Sequence, residues 1–528
     1  MNVNMLGSKF DAIVVGGGHN GLVCAAYLAR AGKRVLVVEK RGIVGGAAVT
    51  EEIAPGFKSS TFSYLVSFHY PIYVELGLAD HIEVLPIADT FAPLRNGAYF
   101  HSNSYDGGKI TRASIANLSS EDADAYDSYR EMLADIGPIL RILSTTIPPD
   151  FRKRDFRTLK EIGALLWKVR KAHKNVYRLI DIVSQSADEF LAQWFRSAEV
   201  RAYFAYMASV GNFVGPSTPG SALMMLGYQA SRHEKNPSGH VRGGMGSITK
   251  ALKKIGEGLG VKYSVGDPVA EVLVSDGKVV GVSTASGKEY HAEIVVSNAH
   301  PKILFDKLIS HRAVPGEFLE AVNRIRTFSS AWKINIAAES PPHFIANKPS
   351  ETGMQNVAFS HIGPDIAYLD KAYLDAKNGW YSDKPFVSVV VPTLVDRTMA
   401  PEGKHVVHLY GGHAPYDLVD GDWDNERENF AKSVLDVVDT HAPGFSDGVI
   451  SKQILTPRDI ESIVSMPQGH IMHGEIVLDQ MFSKRPVPGY ADYRTPIHGL
   501  FQCGAACHPG GGVNGLPGYN SARAILKR

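Results

Sequence analysis

The sequence predicts an α/β protein whose parallel sheet is assembled from distant parts of the chain. Three observations support this. An apolar run at 10–15 is followed by a glycine-rich turn at 16–21 and then by a helical pattern. A second buried-strand pattern returns at 293–297. A further glycine-rich loop at 504–515 precedes the last helical pattern of the chain.

The first turn carries Gly16-x-Gly18-x-x-Gly21, with His19 and Asn20 at its variable positions. Gly16 permits a tight turn, Gly18 lets the backbone approach a pyrophosphate, and Gly21 lets the helix pack on the strand. The phosphates then lie at the positive N-terminal end of the helix. The order of strand, turn and helix therefore predicts a Rossmann-type dinucleotide site.

The second strand, Lys-Arg-Val-Leu-Val-Val-Glu, ends at Glu39 and is followed by Lys40. A carboxylate at this point accepts hydrogen bonds from both hydroxyls of a ribose. A second glycine pair, Gly45 and Gly46, comes next and precedes Ala47. A second close approach of the backbone to the cofactor suits FAD, which is longer than NAD and needs further hydrogen-bond donors. The alternative is that Gly45 and Gly46 belong to an ordinary loop.

The stretch 261–300 predicts a β-meander, because Asp-Gly at 276–277 and Ser-Gly at 286–287 interrupt strand-like runs. Its last run predicts a parallel strand that returns to the first sheet and ends near Asn298. Val269 is the predicted backbone neighbour of the adenine ring.

The last 30 residues predict a strand, a glycine-rich loop and a helix. A helix N-terminus preceded by small residues suits the electron-rich end of a reduced flavin. We place Gly504, Gly512, Val513 and Asn514 at this end of the cofactor.

The fold predicted from these parts is a discontinuous FAD-binding domain, with a parallel sheet plus the β-meander, and an interleaved α+β substrate domain with an antiparallel sheet and a helical lid. The predicted FAD-binding segments are 8–60, 240–302 and 495–528. The substrate-binding segments are 61–239 and 303–494, with the lid around 120–230. Gly-Gly-Met-Gly-Ser at 243–247 follows His-Val-Arg rather than a buried strand, which argues against a second dinucleotide domain.

Four segments carry a family resemblance: GGGHNG to VVEKR with the glycine pair (16–46), PTLVDRTMAPEGKH (392–405), HGEIVLDQMFSKRPVPGYADYRTP (473–496) and GAACHPGGGVNGLPG (504–518). Along nearly its whole length the chain resembles the superfamily of flavin-containing amine oxidases and phytoene desaturases. The resemblance implies FAD as cofactor and a separate substrate domain.

The chain departs from that pattern at two positions. Many relatives carry Arg where this chain has Ala47, and Thr where it has Cys507. Cys503 and Cys507 are separated by three residues, so they do not form a CxxC redox pair.

Composition narrows the classes of partner. The chain has 55 Lys and Arg against 54 Asp and Glu, so no global field favours nucleic acid. Three cysteines indicate a reducing compartment. The N-terminus is too short for a signal peptide, and no apolar run reaches the length of a bilayer span. We expect a cytoplasmic protein, or one attached to the surface of a membrane.

The stretch 150–178 is the most uneven in charge, with ten basic residues against three acidic ones and interleaved apolar residues. This composition suits contact with an anionic membrane surface. The alternative is a solvated face of a lid helix.

Three residues are candidates for chemistry. His508 lies beside the C-terminal glycine run and His473 lies in Met-Pro-Gln-Gly-His-Ile-Met-His-Gly-Glu. Lys333 lies in a strand at the place where the resemblance to amine oxidases implies a lysine that contacts flavin through water. The structural alternatives are a loop-capping histidine for His508 and a sheet or surface lysine for Lys333, whereas His473 is expected to contact the flavin or the cavity. No metal site is predicted, because the ligand spacing is missing.

The leading hypothesis is an FAD enzyme that dehydrogenates an apolar or amphipathic molecule, isoprenoid or carotenoid-like, with oxygen or a quinone as electron acceptor. The alternatives are an amine oxidase, a polyene saturase or isomerase, and a flavin-binding interaction protein without turnover. The sequence predicts neither the substrate itself nor the oligomeric state.

Overall fold

Two large sheets with helices packed around them form the core of the protein. The computed structural model describes residues 10–231, 237–328, 331–355 and 357–527. In chain order the strands are β1 Ala12–Val15, β2 Val35–Glu39, β3 Thr50–Ala54, β4 Phe57–Ser60, β5 Val66–Ser67, β6 Val84–Leu85, β7 Asp89–Pro93, β8 Tyr99–Asn103, β9 Ser238–Val241, β10 Lys262–Val265, β11 Val269–Ser275, β12 Lys278–Thr284, β13 Glu289–His291, β14 Ile294–Ser297, β15 Trp332–Ala338, β16 Phe359–Ile362, β17 Val387–Val390, β18 His405–Gly411, β19 Val449–Leu455 and β20 Leu500–Gln502.

The α-helices lie between these strands and after the last of them. In chain order they are α1 His19–Arg30, α2 Tyr70–Glu75, α3 Lys109–Leu118, α4 Ser120–Thr145, α5 Phe156–Val169, α6 His173–Ser184, α7 Ala187–Ala192, α8 Ala198–Ser209, α9 Ala222–Ser231, α10 Gly246–Gly258, α11 Pro301–Lys307, α12 Gly316–Asn323, α13 Pro349–Thr352, α14 Ile366–Lys377, α15 Trp423–His441, α16 Pro457–Val464 and α17 Leu516–Leu526.

The first sheet has five parallel strands in the order β10-β2-β1-β14-β20. Its central strands are short, apolar and rich in valine, and β1, β2 and β14 are buried throughout. Such strands are stable only when helices cover both faces. Helices α1 and α17 contribute Cys24, Leu28 and Ile525 to the cluster on one face. The prediction that 293–297 returns to the first sheet is confirmed.

The predicted β-meander is also confirmed: β11, β12 and β13 form an antiparallel three-stranded sheet. Asp276 and Gly277 both have positive φ, of 48° and 71°, which is the backbone of a tight hairpin turn. Gly287, with φ of 81°, lies in the next turn. The two dipeptides therefore turn the chain where the sequence predicts.

The second sheet has seven strands in the order β19-β15-β18-β17-β16-β7-β8. It is antiparallel except where β16 runs parallel to β7, so the expectation of a purely antiparallel sheet is corrected to a mixed one. The side chains of β15 alternate. Trp332, Ile334 and Ile336 enter the main core, together with Phe430 of α15. Lys333 and Asn335 point to the other face, where they contact the end of β4 and the residue after it.

Residues 109–231 are mainly helical and include α3 to α9, in agreement with the helical pattern of the predicted lid. One apolar cluster joins all of these helices except α5, with Tyr129, Phe190 and Phe195 among its members. The division into two domains stays a prediction.

Strand β9 was missed by sequence reasoning. Gly239, His240 and Val241 are buried, so the glycines at 243–247 do follow a buried strand. That strand pairs antiparallel with β5 and β6, whereas a dinucleotide unit requires a parallel sheet. The strand also crosses the predicted boundary between the substrate-binding segment 61–239 and the FAD-binding segment 240–302.

Among the described residues, no helix is both long and apolar enough to cross a bilayer.

Trp332 tests the core of the second sheet. Its side chain is 1% exposed, and its ring centroid lies 5.1 Å from that of Phe430. Trp332→Ala is expected to lower the free energy of unfolding by about 3–5 kcal/mol, because it leaves a large cavity. Denaturant unfolding followed by circular dichroism, with FAD at saturation, measures the loss. Ile450→Ala, on exposed β19, is the control and is expected to cost less than about 1 kcal/mol. Equal losses would contradict this view of the core.

Candidate active site

The turn between β1 and α1 is the first part of the site. The Gly16 N–H donates to the Val38 carbonyl at 2.8 Å, and Gly16 has φ of 96°. A Cβ on Gly21 would lie 2.3 Å from the carbonyl oxygen of Gly16. This contact distance is impossible for a real side chain. Glycine at both positions is therefore required for the helix to begin directly after the strand.

The N-terminus of α1 is open to an anion. Gly18 is the N-cap, no side chain caps the helix, and the first turn contains no acidic residue. The first amides and the positive end of the helix dipole are thus available to a phosphate. Asn20 is 2% exposed, and its Oδ1 has no hydrogen-bond partner among the described residues. These features fit a pyrophosphate.

Glu39 at the end of β2 is 6% exposed. Its carboxylate accepts from the N–H of Gly17 at 2.7 Å and from the N–H of Arg41 at 2.9 Å. An ionised carboxylate offers about four acceptor positions, so two remain for the hydroxyls of a ribose. Glu39 therefore fixes the turn and fits the sugar as well.

The Lys40 side chain lies against the end of α16. Its ammonium donates to Ser465 Oγ at 2.8 Å and contacts the Ser462 carbonyl at 3.4 Å, both near the C-terminal end of α16. A cation is favoured at that end of a helix. The side chain therefore stabilises α16, and the contact of Lys40 with the cofactor stays a prediction.

The second glycine pair packs directly on the first turn. The Gly45 N–H donates to the Gly17 carbonyl at 2.8 Å, and a Cβ on Gly46 would lie 3.2 Å from the Cα of Gly18. The φ values of Gly45 and Gly46 are 139° and 58°. The Ala47 carbonyl that follows accepts from the backbone and side chain of Ser63. The pair thus extends the backbone surface beyond the pyrophosphate position.

The ends of β14 and β20 meet the same turn. The Asn298 N–H donates to the Val15 carbonyl at 2.8 Å, and its Nδ2 lies 2.6 Å from the position that a Cβ on Gly18 would take. A Cβ on Gly504 would lie 2.5 Å from the Asn298 carbonyl oxygen. Chain segments from the beginning, middle and end of the sequence therefore converge at one edge of the parallel sheet.

Val269 is buried at the start of β11. The Gly266 N–H donates to the Arg41 carbonyl at 2.9 Å, so the loop that leads to Val269 lies beside the end of β2. This placement is compatible with the adenine contact predicted for Val269.

The C-terminal loop is hydrogen-bonded to the N-terminal half of the site. The His19 ring Nε2 lies 3.2 Å from the Gly512 carbonyl oxygen, and the Asn514 carbonyl accepts from the N–H of His69 at 3.1 Å. Val513 packs on the apolar cluster of α1 and α10. The Asn514 side chain also accepts from the Leu516 N–H at 2.8 Å, which fixes the loop where α17 begins.

Two residues of the site were missed. A Cβ on Gly518 would lie 2.1 Å from the Asn20 carbonyl oxygen, so α17 packs closely on the start of α1. Arg485 is 1% exposed and donates to the carbonyls of Met472, Gly474 and Ala505 at 2.5, 3.2 and 3.2 Å. Gly518, close to the start of the last helical pattern, is the sequence signal for the first contact. No sequence signal distinguishes Arg485 from a surface arginine.

Lys333 is 1% exposed and its amine group donates to the Ser60 carbonyl. Burial lowers its pKa well below the usual value. The segment that it contacts continues to Ser63, which donates to Ala47. Lys333 is therefore one chain segment away from the glycine pair at 45–46, and its catalytic role stays a prediction.

His473 has φ of 54°, and its carbonyl lies 3.2 Å from the ring Nε2 of His300. Its own Nδ1 has no hydrogen-bond partner among the described residues. Burial, together with the charges of neighbouring groups, lowers the pKa of His473 to about 3. Its ring is therefore neutral at physiological pH.

His508 Nε2 lies 2.9 Å from the carbonyl of Leu143, in the last turn of α4. The ring centroid of Phe482 is 5.3 Å away. Burial lowers the pKa of His508 to about 4. These contacts are those of the structural alternative, a histidine that caps a loop against a helix end, and its catalytic role stays a prediction.

The glycine turn, the ribose-binding acid, the second glycine pair and the C-terminal loop, set beside a second large sheet, define an FAD-dependent oxidoreductase. The model of the family of flavin containing amine oxidoreductases matches residues 21–435. The chain belongs to this family, as its resemblance to the superfamily predicts, and FAD is its cofactor.

Individual proteins show how far the likeness extends. The chain is 35% identical over 543 residues to pyridine nucleotide-disulfide oxidoreductase domain-containing protein 2 of Rattus norvegicus, covering 98% of this chain and 94% of that protein. It is 26% identical over 550 residues to a limonene dehydrogenase polypeptide of Castellaniella defragrans, with the same coverage. The structure of a putrescine oxidase triple mutant shares the fold, with a TM-score of 0.63 and 15% identity over 98% of this chain and 99% of that chain.

Gly21 tests the cofactor site. Gly21→Ala is expected to weaken FAD binding at least about tenfold, because the new Cβ pushes the turn away from the helix. The dissociation constant is measured by titrating FAD into the apoprotein. Gly42→Ala is the matched control, since no heavy atom lies within 4 Å of its Cβ position. Unchanged affinity in both variants would remove the turn from the site.

Replacement of Lys333 tests whether its buried amine has a lowered pKa. An unfolded lysine has a pKa of about 10.4, whereas burial lowers the folded value. Between these two values the unfolded state binds more protons, so this group makes the wild type more stable as the pH rises. Lys333→Met is expected to stabilise the protein at neutral pH, and its advantage over wild type is expected to shrink toward pH 10 by up to about 1.4 kcal/mol per pH unit.

Thermal unfolding of both proteins across that pH range measures the difference. Lys262→Met, on exposed β10, is the control and is expected to give a curve parallel to wild type. A parallel curve for Lys333→Met would mean that Lys333 is charged in the folded protein.

Proposed function

We propose that this enzyme dehydrogenates an apolar or amphipathic organic molecule, isoprenoid or carotenoid-like in character. The observation that carries the proposal is the cluster formed by the buried Lys333, His408 and Tyr410 with the half-buried Tyr64. The amine nitrogen lies 5.7 Å from the Tyr64 ring centroid, and the Tyr64 and Tyr410 centroids are 5.3 Å apart. Burial lowers the pKa of both Lys333 and His408 well below the usual values. Burial therefore disfavours a charge in this cluster, which suits an uncharged substrate.

FAD, when bound, supplies the hydride acceptor at flavin N5, and oxygen or a quinone is the proposed electron acceptor. The residues of the chain bind the cofactor and orient the substrate. The turn at 16–21 and the pair at 45–46 would hold the phosphates, and the ends of β14 and β20 bring Asn298 and Gly504 to the same turn. The segment 59–63 lies between the glycine pair and β15 and shields Lys333 from water.

In a dehydrogenation, one carbon loses a hydride and its neighbour loses a proton. Lys333 is our candidate for the group that accepts this proton. A neutral amine keeps a lone pair at Nζ while it donates to the Ser60 carbonyl. His473 Nδ1 is a second unoccupied acceptor among the described residues, but its low pKa makes it a weak base. We therefore assign the proton to Lys333 and a hydrogen-bonding role to His473.

The name of the limonene relative supports an apolar substrate, because limonene is a hydrocarbon. An amine oxidase calls for two aromatic rings that enclose the amine. Tyr64 and Tyr410 contact each other directly and leave no such space between them. A polyene saturase, a polyene isomerase and a flavin-binding protein without turnover are the competing functions that experiment must separate from dehydrogenation.

Anaerobic mixing of the FAD-loaded enzyme with isoprenoid hydrocarbons, polyenes and aliphatic amines separates these functions. We expect the hydrocarbons or polyenes to bleach the flavin absorbance and the amines to leave it unchanged. Lys333→Met is expected to slow bleaching about a hundredfold, whereas Lys262→Met leaves it unchanged.

Different outcomes would favour the competing functions. Bleaching by amines alone would establish an amine oxidase. Anaerobic reoxidation of the photoreduced enzyme by a polyene would establish a saturase, and conversion of a polyene without net bleaching an isomerase. A stable yellow protein that no compound bleaches or converts would support a flavin-binding protein without turnover.

A further inference from the structure

We propose that helices α5 and α6 form a surface that binds anionic phospholipid bilayers. The surface comprises residues 151–180, which include α5, the short turn Arg170–Ala172 and most of α6. We call it the α5–α6 surface. The proposal concerns attachment of the protein and does not depend on the identity of the substrate.

Large apolar side chains are exposed along this surface. Of the 21 exposed large apolar side chains among the described residues, seven lie between 151 and 180. Phe156 is 84% exposed, Tyr177 74% and Trp167 66%. Leu166 and Ile180 are also more than half exposed. Aromatic and aliphatic side chains of this kind enter the boundary between lipid headgroups and acyl chains.

The same helices have a second apolar face, which is buried when the chain folds. Leu179, Ile182 and Val183 of α6 are buried in the cluster of α4, α8 and α9. Leu165 of α5 is 8% exposed. Because this inner face already anchors the helices, the outer apolar residues are not required for packing within the chain. Their exposure points to a partner outside it.

The charge of the region fits an anionic partner. Residues 150–178 contain ten basic and three acidic residues, a formal charge of +7, in a chain whose total is +1; the rest of the protein therefore carries −6. Of the three acids, Asp150 pairs with Arg152 and Lys153, and Asp155 caps the start of α5. Lys160, Lys168 and Lys174 are exposed. An anionic bilayer attracts such a segment while the remaining surface is repelled.

Aromatic and basic groups alternate at the outer face. The Arg170 guanidinium lies 3.4 Å from the centroid of the Trp167 ring. A stacked pair of this kind places an amphipathic ring and a cation at the same depth, which is where lipid phosphates meet the acyl region. A nucleic acid would use the cations but not the leucine and isoleucine side chains, so a lipid surface is the better match.

The surface begins beside the C-terminal part of the active site. The ring centroids of Phe151 and Phe482 are 6.4 Å apart, and the Arg152 side chain occupies the space that a Cβ on Gly489 would need. Phe482 in turn contacts His508. Binding of the surface to a bilayer would bring the lipid phase close to the loop that holds the flavin.

Vesicle flotation with the full-length, FAD-loaded protein tests the proposal. Vesicles of phosphatidylcholine alone are compared with vesicles that also contain phosphatidylserine, at low and high salt. We expect binding to the phosphatidylserine vesicles at low salt and weaker binding at high salt, because exposed charges are screened. Absence of binding at low salt would overturn the proposal.

Charge-reversal variants locate the surface. Lys160→Glu, Lys168→Glu and Lys174→Glu together are expected to weaken partitioning about a hundredfold, since each cation near the surface contributes roughly fivefold. Lys254→Glu, Lys262→Glu and Lys278→Glu together change the net charge equally at exposed sites elsewhere and are expected to change binding less than about twofold. Equal losses in the two triple variants would place the contact outside the α5–α6 surface.

A third variant tests how much the apolar side chains contribute to lipid binding, and whether a second copy of the chain occupies the surface instead. Leu166→Ser with Trp167→Ser is expected to weaken lipid binding while the salt dependence stays as in wild type. Sedimentation of wild type and variant, without lipid, reports self-association. If the wild type is a dimer that this variant dissociates, and neither protein floats with vesicles, the surface is an interface between two copies and the membrane proposal is wrong. The flavin absorbance of each variant shows that the fold is retained.

Discussion

The pairing of β1 with β14 is the contact on which the cofactor site depends. Ala12 pairs with Ile294 and Val15 with Ser297, although these residues lie far apart in the chain. Closing so long a loop costs chain entropy, which the buried valines of both strands offset. Because the strands are parallel and in this register, their carboxyl ends coincide, and Asn298 reaches the glycine turn. A shift by one residue would turn the buried side chains to the opposite face and move Asn298 away.

The second sheet uses the alternation of a single strand for two purposes. Trp332, Ile334 and Ile336 give β15 its packing, while Lys333 and Asn335 point to the carbonyls of Ser60 and Thr61. A buried amine is costly to keep charged, so burial lowers its pKa. The same cause lowers the pKa of His473 and His508. In all three residues burial therefore disfavours the charged form of the side chain.

Local patterns predicted much of this structure. The turn at 16–21, Glu39 and the pair at 45–46 follow strands and helices that depend on neighbouring residues alone, and the meander depends on two dipeptide turns. What the sequence did not reveal depends on a short strand or on contacts between residues far apart in the chain. Strand β9 is too short to show a period, Lys40 is drawn to the end of a helix more than 400 positions later, and Arg485 finds its carbonyl acceptors in loops that only the folded chain assembles. Gly518 is informative only once α17 lies against α1.

The net charge of the protein hides an uneven distribution of charge along the chain. A total of +1 describes a protein without a global field, yet the charge is divided between a strongly basic helical region and an acidic remainder. Exposed apolar residues are concentrated in the same region. Apolar side chains that stay in water add little to the stability of the fold, and their concentration beside basic residues is the basis of the proposed contact with a bilayer. Phe151 and Phe482 connect that region to His508 and the C-terminal loop. If the α5–α6 surface binds a bilayer as proposed, a substrate dissolved in lipid would reach the protein near the C-terminal loop.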